Sequence, residues 1–295
     1  MNAQNKNLLL RFVTAMVLLP LVIGLIVLGG LPFAMLLSVA AALSSLELNQ
    51  MAASANLAGA PAIASASGDL SKTRSSRLGA GALVSAAAAF LVPLLDQPAL
   101  HWLTLRTLLC ALMLIAFIDA LFFESEIPRA PARVGIAVLA PLYTGVTLAA
   151  LVHLRALENG AWWIILALAV TWMNDTGGYF AGRAFGKHKL YPRISPSKTW
   201  EGAIGGAAAS TAGALIIKLF FLTSIPLWGA ALIGLGGSVI GPLGDLSESM
   251  LKRAFGAKDS GAMLPGHGGL LDRIDALLFV APFVLFCAQH LIFAP

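Results

Sequence analysis

Apolar runs separated by short polar breaks account for most of this chain. A helix needs roughly 20 apolar residues to cross the hydrocarbon of a bilayer. Read on that measure, a first span covers about 12–29 and is broken at Gly29-Gly30-Leu-Pro32, and a second covers about 33–53. A Ser/Ala/Gly-rich stretch over 54–78 reads as a solvated loop, and a third span follows over about 78–95. Asp96-Gln-Pro98 turns the chain into a fourth, about 103–123, and a polar loop with Pro128 and Pro131 leads into a fifth, about 134–154. Glu158-Asn-Gly160 precedes a short sixth run, 161–173, which passes directly into polar sequence. Further spans cover about 202–222, 227–243 and 276–293. The pattern predicts an all-α polytopic membrane protein with about nine transmembrane helices, interrupted by two long polar segments, 174–201 and 245–275.

Composition supports a membrane class. The 295 residues are 58% apolar and 11% charged, with mean hydropathy +0.85, whereas soluble domains carry roughly 25% charged residues. Cys110 and Cys287 both lie in apolar runs, so neither a disulfide framework nor zinc-type spacing is present. The first apolar run lacks a small-residue cleavage site and is expected to be a retained helix. Positive charge then fixes the expected orientation. With the N-terminus in the cytoplasm, the polar pieces on that side hold all but three of the 19 Lys and Arg residues, the exceptions being Arg106, Arg155 and Lys218. The C-terminus falls outside, and both long polar segments fall on the cytoplasmic face. No internal repeat at a fixed period is visible, which speaks against a transporter built from inverted halves.

The chemistry is concentrated in those two segments. In 245–275, five carboxylates, four Lys/Arg and a histidine sit between apolar runs. Charge is expensive at membrane depth and marks a surface or a wet cavity. Carboxylates suit hard cations, Lys and Arg suit phosphate, and glycine-rich turns offer backbone N–H groups to anions. Asp245, Glu248, Ser249 and Lys252 are spaced i, i+3, i+4, i+7 and share one helix face. Asp272 and Asp275 are spaced i, i+3 at the start of the last span. Two carboxylate-bearing helix ends facing each other can hold one or two cations. In 174–201, Asp175 reads either as a helix-end acid or as a metal or nucleotide contact. Gly177, Gly178, Gly182 and Gly186 read as helix-packing residues taken alone, and Arg183, Lys187 and Lys189 are equally topogenic charges. Ser195-Pro-Ser-Lys-Thr is more specific, because Pro196 disfavours helix at Ser195 and the polar donors precede a new helix N-terminus, a ready anion site. His267 reads first as a structural hydrogen-bonder and Asp259 as a loop acid.

Ser249-Met-Leu-Lys-Arg253, Lys258-Asp-Ser260 and Pro265-Gly-His-Gly-Gly-Leu-Leu-Asp-Arg-Ile-Asp275 resemble the signature of the phosphatidate cytidylyltransferase (CDP-diacylglycerol synthase) family. Asp175-Thr-Gly-Gly-Tyr179, Gly182-Arg-Ala-Phe-Gly-Lys-His-Lys-Leu190 and Ser195-Pro-Ser-Lys-Thr-Trp-Glu-Gly202 resemble its second block, and Arg11-Phe-Val-Thr-Ala with Pro20 its start. The likeness is firm over about 170–280 and weak over about 50–160.

The resemblance implies a multi-pass enzyme of the bacterial inner membrane that makes CDP-diacylglycerol and pyrophosphate from CTP and phosphatidate with Mg²⁺, tends to dimerise among membrane lipids, and has no nucleic-acid partner. It implies an N-terminal transmembrane region of about five spans, 1–160, and a C-terminal transmembrane catalytic region, 161–295. Asp245 and Asp272 fall on the family's metal-binding acids. Lys198, Lys252 and Arg273 are expected to handle phosphate in the reaction. Asp175, Arg183, Ser195, Ser197, Lys198, Arg253, Lys258, Asp259, His267, Gly268 and Gly269 are expected to contact substrates. The competing classes are a transporter or channel, a lipid nucleotidyltransferase or kinase with another head group or nucleotide, and a non-catalytic membrane scaffold.

Overall fold

The computed structural model describes residues 3–55, 80–95, 103–124, 127–263 and 268–292, with side chains from residue 16 onward. Nearly all of the loop expected over 54–78 lies outside the described residues. The chain is mostly helical. Helix α1 (Ala3–Leu28) is followed by α2 (Gly30–Ser54), α3 (Ala80–Leu91), α4 (Leu105–Phe123), α5 (Ala130–Pro141), α6 (Thr147–Ala156) and α7 (Gly160–Phe185). A two-stranded antiparallel hairpin, β1 (Lys189–Tyr191) and β2 (Ser195–Thr199), precedes α8 (Trp200–Phe220), α9 (Leu227–Ala254) and α10 (Leu271–Phe286). Among the described residues, six helical stretches are long and apolar enough to cross a membrane: Gly30–Ser54, Leu105–Phe123, Ile127–Ala156, Trp200–Phe220, Leu227–Ala254 and Leu271–Ile292. This is a multi-pass membrane architecture.

Three local outcomes differ from the sequence pattern. The break expected over 29–32 is confined to Gly29 and Gly30, both at positive φ (64° and 53°), and α2 already begins at Gly30. Pro32 sits in the first turn of α2, where its missing N–H leaves no intrahelical bond unmade. The sixth apolar run, expected to cover 161–173, is part of a longer helix, since α7 continues through the polar residues to Phe185. The hairpin that follows is a small β element in a fold expected to be all-α.

The chain forms two compact units. The first comprises 1–34, 147–251 and 272–295, and the second 35–146 and 252–271. In the first, α7 and α8 lie against one another along a seam of small residues. A Cβ on Gly177 would sit 2.5 Å from Ala209 Cβ and 2.7 Å from Gly205 O, and one on Gly202 would sit 2.9 Å from Gly178 O. The Gly178/Gly182 and Gly202/Gly206 pairs have the four-residue spacing that lets helix backbones approach closely in lipid. Helix α9 carries a second stripe, with Gly234 against Thr211, Gly237 against Val170 and Gly244 against Asp275 and Ala276. Trp163, Ile164, Leu166, Ile233 and Leu278 are fully buried in this unit. Arg155, in the last turn of α6, donates from Nε to Ile26 O (2.7 Å) and from NH2 to Val27 O (2.8 Å), closing the C-terminal end of α1.

In the second unit, Ala116, Ala120, Val134 and Ala137 form an apolar cluster between α4 and α5. Beside it Asp119, 5% exposed, accepts the N–H of Gly81 at 3.1 Å and pairs with Arg133 at 2.8 Å, while Arg133 also reaches Glu124 at 3.2 Å. This buried pair ties α3, α4 and α5 together.

The glycine seam gives a direct test. A Cβ on Gly206 would lie 2.6 Å from Asn174 Oδ1 and 2.8 Å from Asn174 O, whereas one on Gly24 would meet nothing within 4 Å. Gly206→Val is expected to cost about 1–3 kcal/mol through overpacking and to lower the melting temperature of the detergent-purified protein. Gly24→Ala is expected to leave it unchanged or slightly raised. Equal melting temperatures for the two variants would contradict the seam.

Candidate active site

The site in the first unit is built at one end of α7, α8, α9 and α10. The sequence places it there by ending α7 at Gly186, whose N–H bonds Gly182 O, and folding the next residues into the hairpin. Thr199 closes that hairpin and caps α8. It is extended (φ −130°, ψ 156°), and its hydroxyl accepts the N–H of Gly202 at 3.1 Å. The N–H of Trp200 bonds His188 O at 2.9 Å, and His188 Nδ1 lies 2.6 Å from Glu201 Oε1. The hairpin is thereby folded back onto the first turn of α8. Along β2, Ser197 is exposed, Lys198 half-buried and Thr199 buried.

Lys198 forms an ion pair with Asp245 of α9. Ser249, one turn on, donates to Asp245 Oδ1 at 3.3 Å. Asp245, Glu248 and Asp275 each bring a carboxylate oxygen within 4.8 Å of the others. Glu248 is fully buried, and Asp245 and Asp275 are half-buried. Gly244 makes this convergence possible, since its missing side chain lets Asp275 O and Ala276 Cα come within 2.7 and 3.2 Å of where a Cβ would stand. Three carboxylates held this close repel one another unless cations offset them. The donor set is all oxygen, which fits a hard divalent cation.

Next to Lys198 is a cavity of about 390 Å³. One wall is a face of α7 with Asp175, Tyr179 and Arg183 at i, i+4, i+8, the second is Ser197-Lys198-Thr199, and Pro242 of α9 contributes. Arg183 donates to the Tyr179 hydroxyl at 2.9 Å. The cavity thus has a cationic and hydroxyl-bearing lining beside a cluster of acids. That is an arrangement for phosphate oxygens at the edge of a cation site.

Of the residues singled out in the sequence, Asp175, Arg183, Ser197 and Lys198 line this cavity, and Asp245 joins Lys198 to the acid cluster. Ser195 is half-buried at the start of β2. Asp272 is half-buried in the first turn of α10 and Arg273 is exposed beside it. Asp272 stands outside the three-acid group, in which α10 is represented by Asp275. Lys252 and Arg253 occupy the last turn of α9, and Arg253 bonds Ala257 O at 3.1 Å. They belong to the second unit together with exposed Lys258 and Asp259, half-buried Gly268 and buried Gly269. His267 lies outside the described residues. Tyr179 went unnoticed in the sequence, and the i+4 spacing between Asp175, Tyr179 and Arg183 is the signal that marks it.

The model of the cytidylyltransferase family matches residues 9–291. The chain belongs to that family. A phosphatidate cytidylyltransferase of Bacillus subtilis (strain 168) is 46% identical over 155 residues, 52% of this chain and 58% of that protein. One from Brucella suis biovar 1 (strain 1330) is 50% identical over 141 residues, 47% of this chain and 52% of the relative. One from Staphylococcus saprophyticus is 46% identical over 142 residues, 48% and 54% of the two chains. The matches span about half the length of these curated relatives. The family membership agrees with the resemblance carried by the two polar blocks.

The cap at the site's edge is expected to matter for folding. Thr199→Ala removes the side-chain acceptor for Gly202 and should cost about 1 kcal/mol, read as a lower melting temperature. Ser197→Ala, at an exposed neighbour, should not change it. A Thr199→Ala protein as stable as wild type would contradict the capping role.

Proposed function

We propose that this protein transfers a cytidylyl group from CTP to phosphatidate, giving CDP-diacylglycerol and pyrophosphate. The observation that carries the reading is the meeting of Lys198 with Asp245, Glu248 and Asp275 beside a cavity of about 390 Å³. Relatives named phosphatidate cytidylyltransferase, 46–50% identical over about half of the chain, supply the substrates.

In this reading a phosphatidate phosphate oxygen attacks the α-phosphorus of CTP. The bond from that phosphorus to the bridging oxygen breaks, and pyrophosphate leaves with the electron pair. Such transfers depend on positioning and charge neutralisation more than on covalent help. Phosphatidate is already an anion, so no strong base is needed. Asp245, Glu248 and Asp275 would hold the cation, taken as Mg²⁺, with Asp272 a further candidate acid on the same helix start. The cation supplies charge neutralisation at phosphate oxygens. Lys198 orients Asp245 and offers its ammonium to phosphate, and Arg183, held by Tyr179, does the same from α7. Ser195, Ser197 and Asp175 supply polar contacts from the hairpin and α7. Lys252, Arg253, Lys258, Asp259, His267, Gly268, Gly269 and Arg273 are proposed as further substrate contacts on the grounds of the motifs they belong to. The reaction is assigned to 161–295. About nine spans, a cytoplasmic N-terminus, an outside C-terminus, a bacterial inner-membrane location and a homodimer complete the proposal, with the one-sided Lys/Arg distribution as support for the orientation.

Pyrophosphate release by the detergent-purified protein tests the reading, with CTP, phosphatidate and Mg²⁺ omitted in turn. Release is expected to require all three. Asp245→Asn is expected to lower the rate about 10²-fold or more, as loss of a charge-stabilising group does. Absence of release from folded protein would sink the transferase reading, and near-normal turnover by Asp245→Asn would remove the acid cluster from it.

A further inference from the structure

Glu47 lies in α2 and belongs to none of the motifs above, yet it is only 1% exposed. Its Oε1 accepts the N–H of Leu270 at 3.0 Å. Its Oε2 accepts the N–H of Leu271 at 2.8 Å and the hydroxyl of Ser260 at 3.2 Å. Gly261 completes the enclosure, because a Cβ there would stand 2.6 Å from Oε1 and 3.1 Å from Cγ. All of these groups belong to the second unit.

One carboxylate therefore ties Ser260 and Gly261 to Leu270 and Leu271. Gly268 and Gly269 immediately precede Leu270, and Lys258 and Asp259 immediately precede Ser260. Two of the three donors are consecutive backbone N–H groups where α10 begins, a place that attracts negative charge. Buried ionic groups are weak stabilisers compared with well-packed apolar ones, but losing one partner leaves the others unsatisfied. A Leu at position 47 would serve a helix core better. What the carboxylate provides is a fixed geometry that joins Ser260 and Gly261 to Leu270 and Leu271, next to Gly268 and Gly269. Glycine-rich backbone and a lysine are groups suited to the phosphates of a nucleoside triphosphate.

We propose that Glu47 is a positioning residue that holds Ser260 and Gly261 against Leu270 and Leu271, so that Lys258 and Gly268-Gly269 are set for the phosphates of a nucleotide. The proposal rests on the transferase reading above for the identity of the nucleotide, CTP. Glu47→Gln keeps the size of the side chain but sets an amide NH₂ against N–H donors. The two stretches then lose their clamp while the acid cluster of the first unit keeps its own groups.

Two readouts test it on detergent-purified full-length protein. The first is hydrogen exchange of peptides covering 256–271, compared with peptides covering α4 and α5. The second is pyrophosphate release as a function of CTP and of phosphatidate concentration. Glu47→Gln is expected to exchange faster in 256–271 alone and to raise KM for CTP about tenfold, the loss of one strong anchoring interaction. KM for phosphatidate and kcat should stay within about twofold on the same basis. Gly261→Ala presses on the carboxylate from outside without altering its charge, is expected to give the same signature, and decides the matter if Glu47→Gln does not fold. An unchanged KM for CTP, or faster exchange spread over the whole protein with only the active fraction reduced, would overturn the positioning role. Wild-type protein that releases no pyrophosphate would instead sink the transferase reading, and the exchange comparison would still decide whether Glu47 holds the two stretches together.

Discussion

Helices in hydrocarbon gain nothing by hiding apolar surface, because lipid tails are as apolar as leucine. What holds α7 against α8 is contact itself, and contact is dense only where backbones come close. The glycines from Gly177 to Gly206 allow that approach, and the stripe on α9 extends it to α10. Without it, Asp245 and Glu248 on α9 would not share a few ångströms with Asp275 on α10. Residues that do no chemistry thus determine where the acids stand.

The second constraint is electrostatic. Acids gathered at the end of an apolar bundle require compensation. The hairpin between α7 and α8 contributes Lys198 to the cluster through its pair with Asp245. Thr199 then starts α8 in the next residue, so the cation is anchored by a helix cap on one side and a carboxylate on the other. A longer loop there would leave the lysine free to leave the acids. The short antiparallel pairing of Lys189 with Thr199 and Tyr191 with Ser195 prevents it.

The apolar runs were legible because a bilayer imposes a length on them, and the helices match those runs closely at most ends. The continuation of α7 through 174–185 was not legible. Its glycines read as helix-packing residues, but its polar residues gave no apolar run from which to place the helix end at Phe185. Asp245 and Lys198 could be picked out because each sits in a dense charged block. Asp272 and Asp275 lie about one turn apart at the start of α10 and spacing alone singles out neither; Asp275 is the one in the three-acid group. Glu47 was invisible for a related reason. It is a single acid in an apolar helix, and its donors are backbone groups more than two hundred residues further along the chain.

Arg155 carries a consequence for how the protein is made. Its guanidinium completes the carbonyl end of α1 across a separation of 129 residues. A ribosome therefore releases the first helix long before the group that closes it exists. Until α6 emerges, Ile26 O and Val27 O must be served by water or lipid head groups, which favours holding that end of α1 at the bilayer surface. The carbonyl end of α1 is therefore completed only once α6 is present.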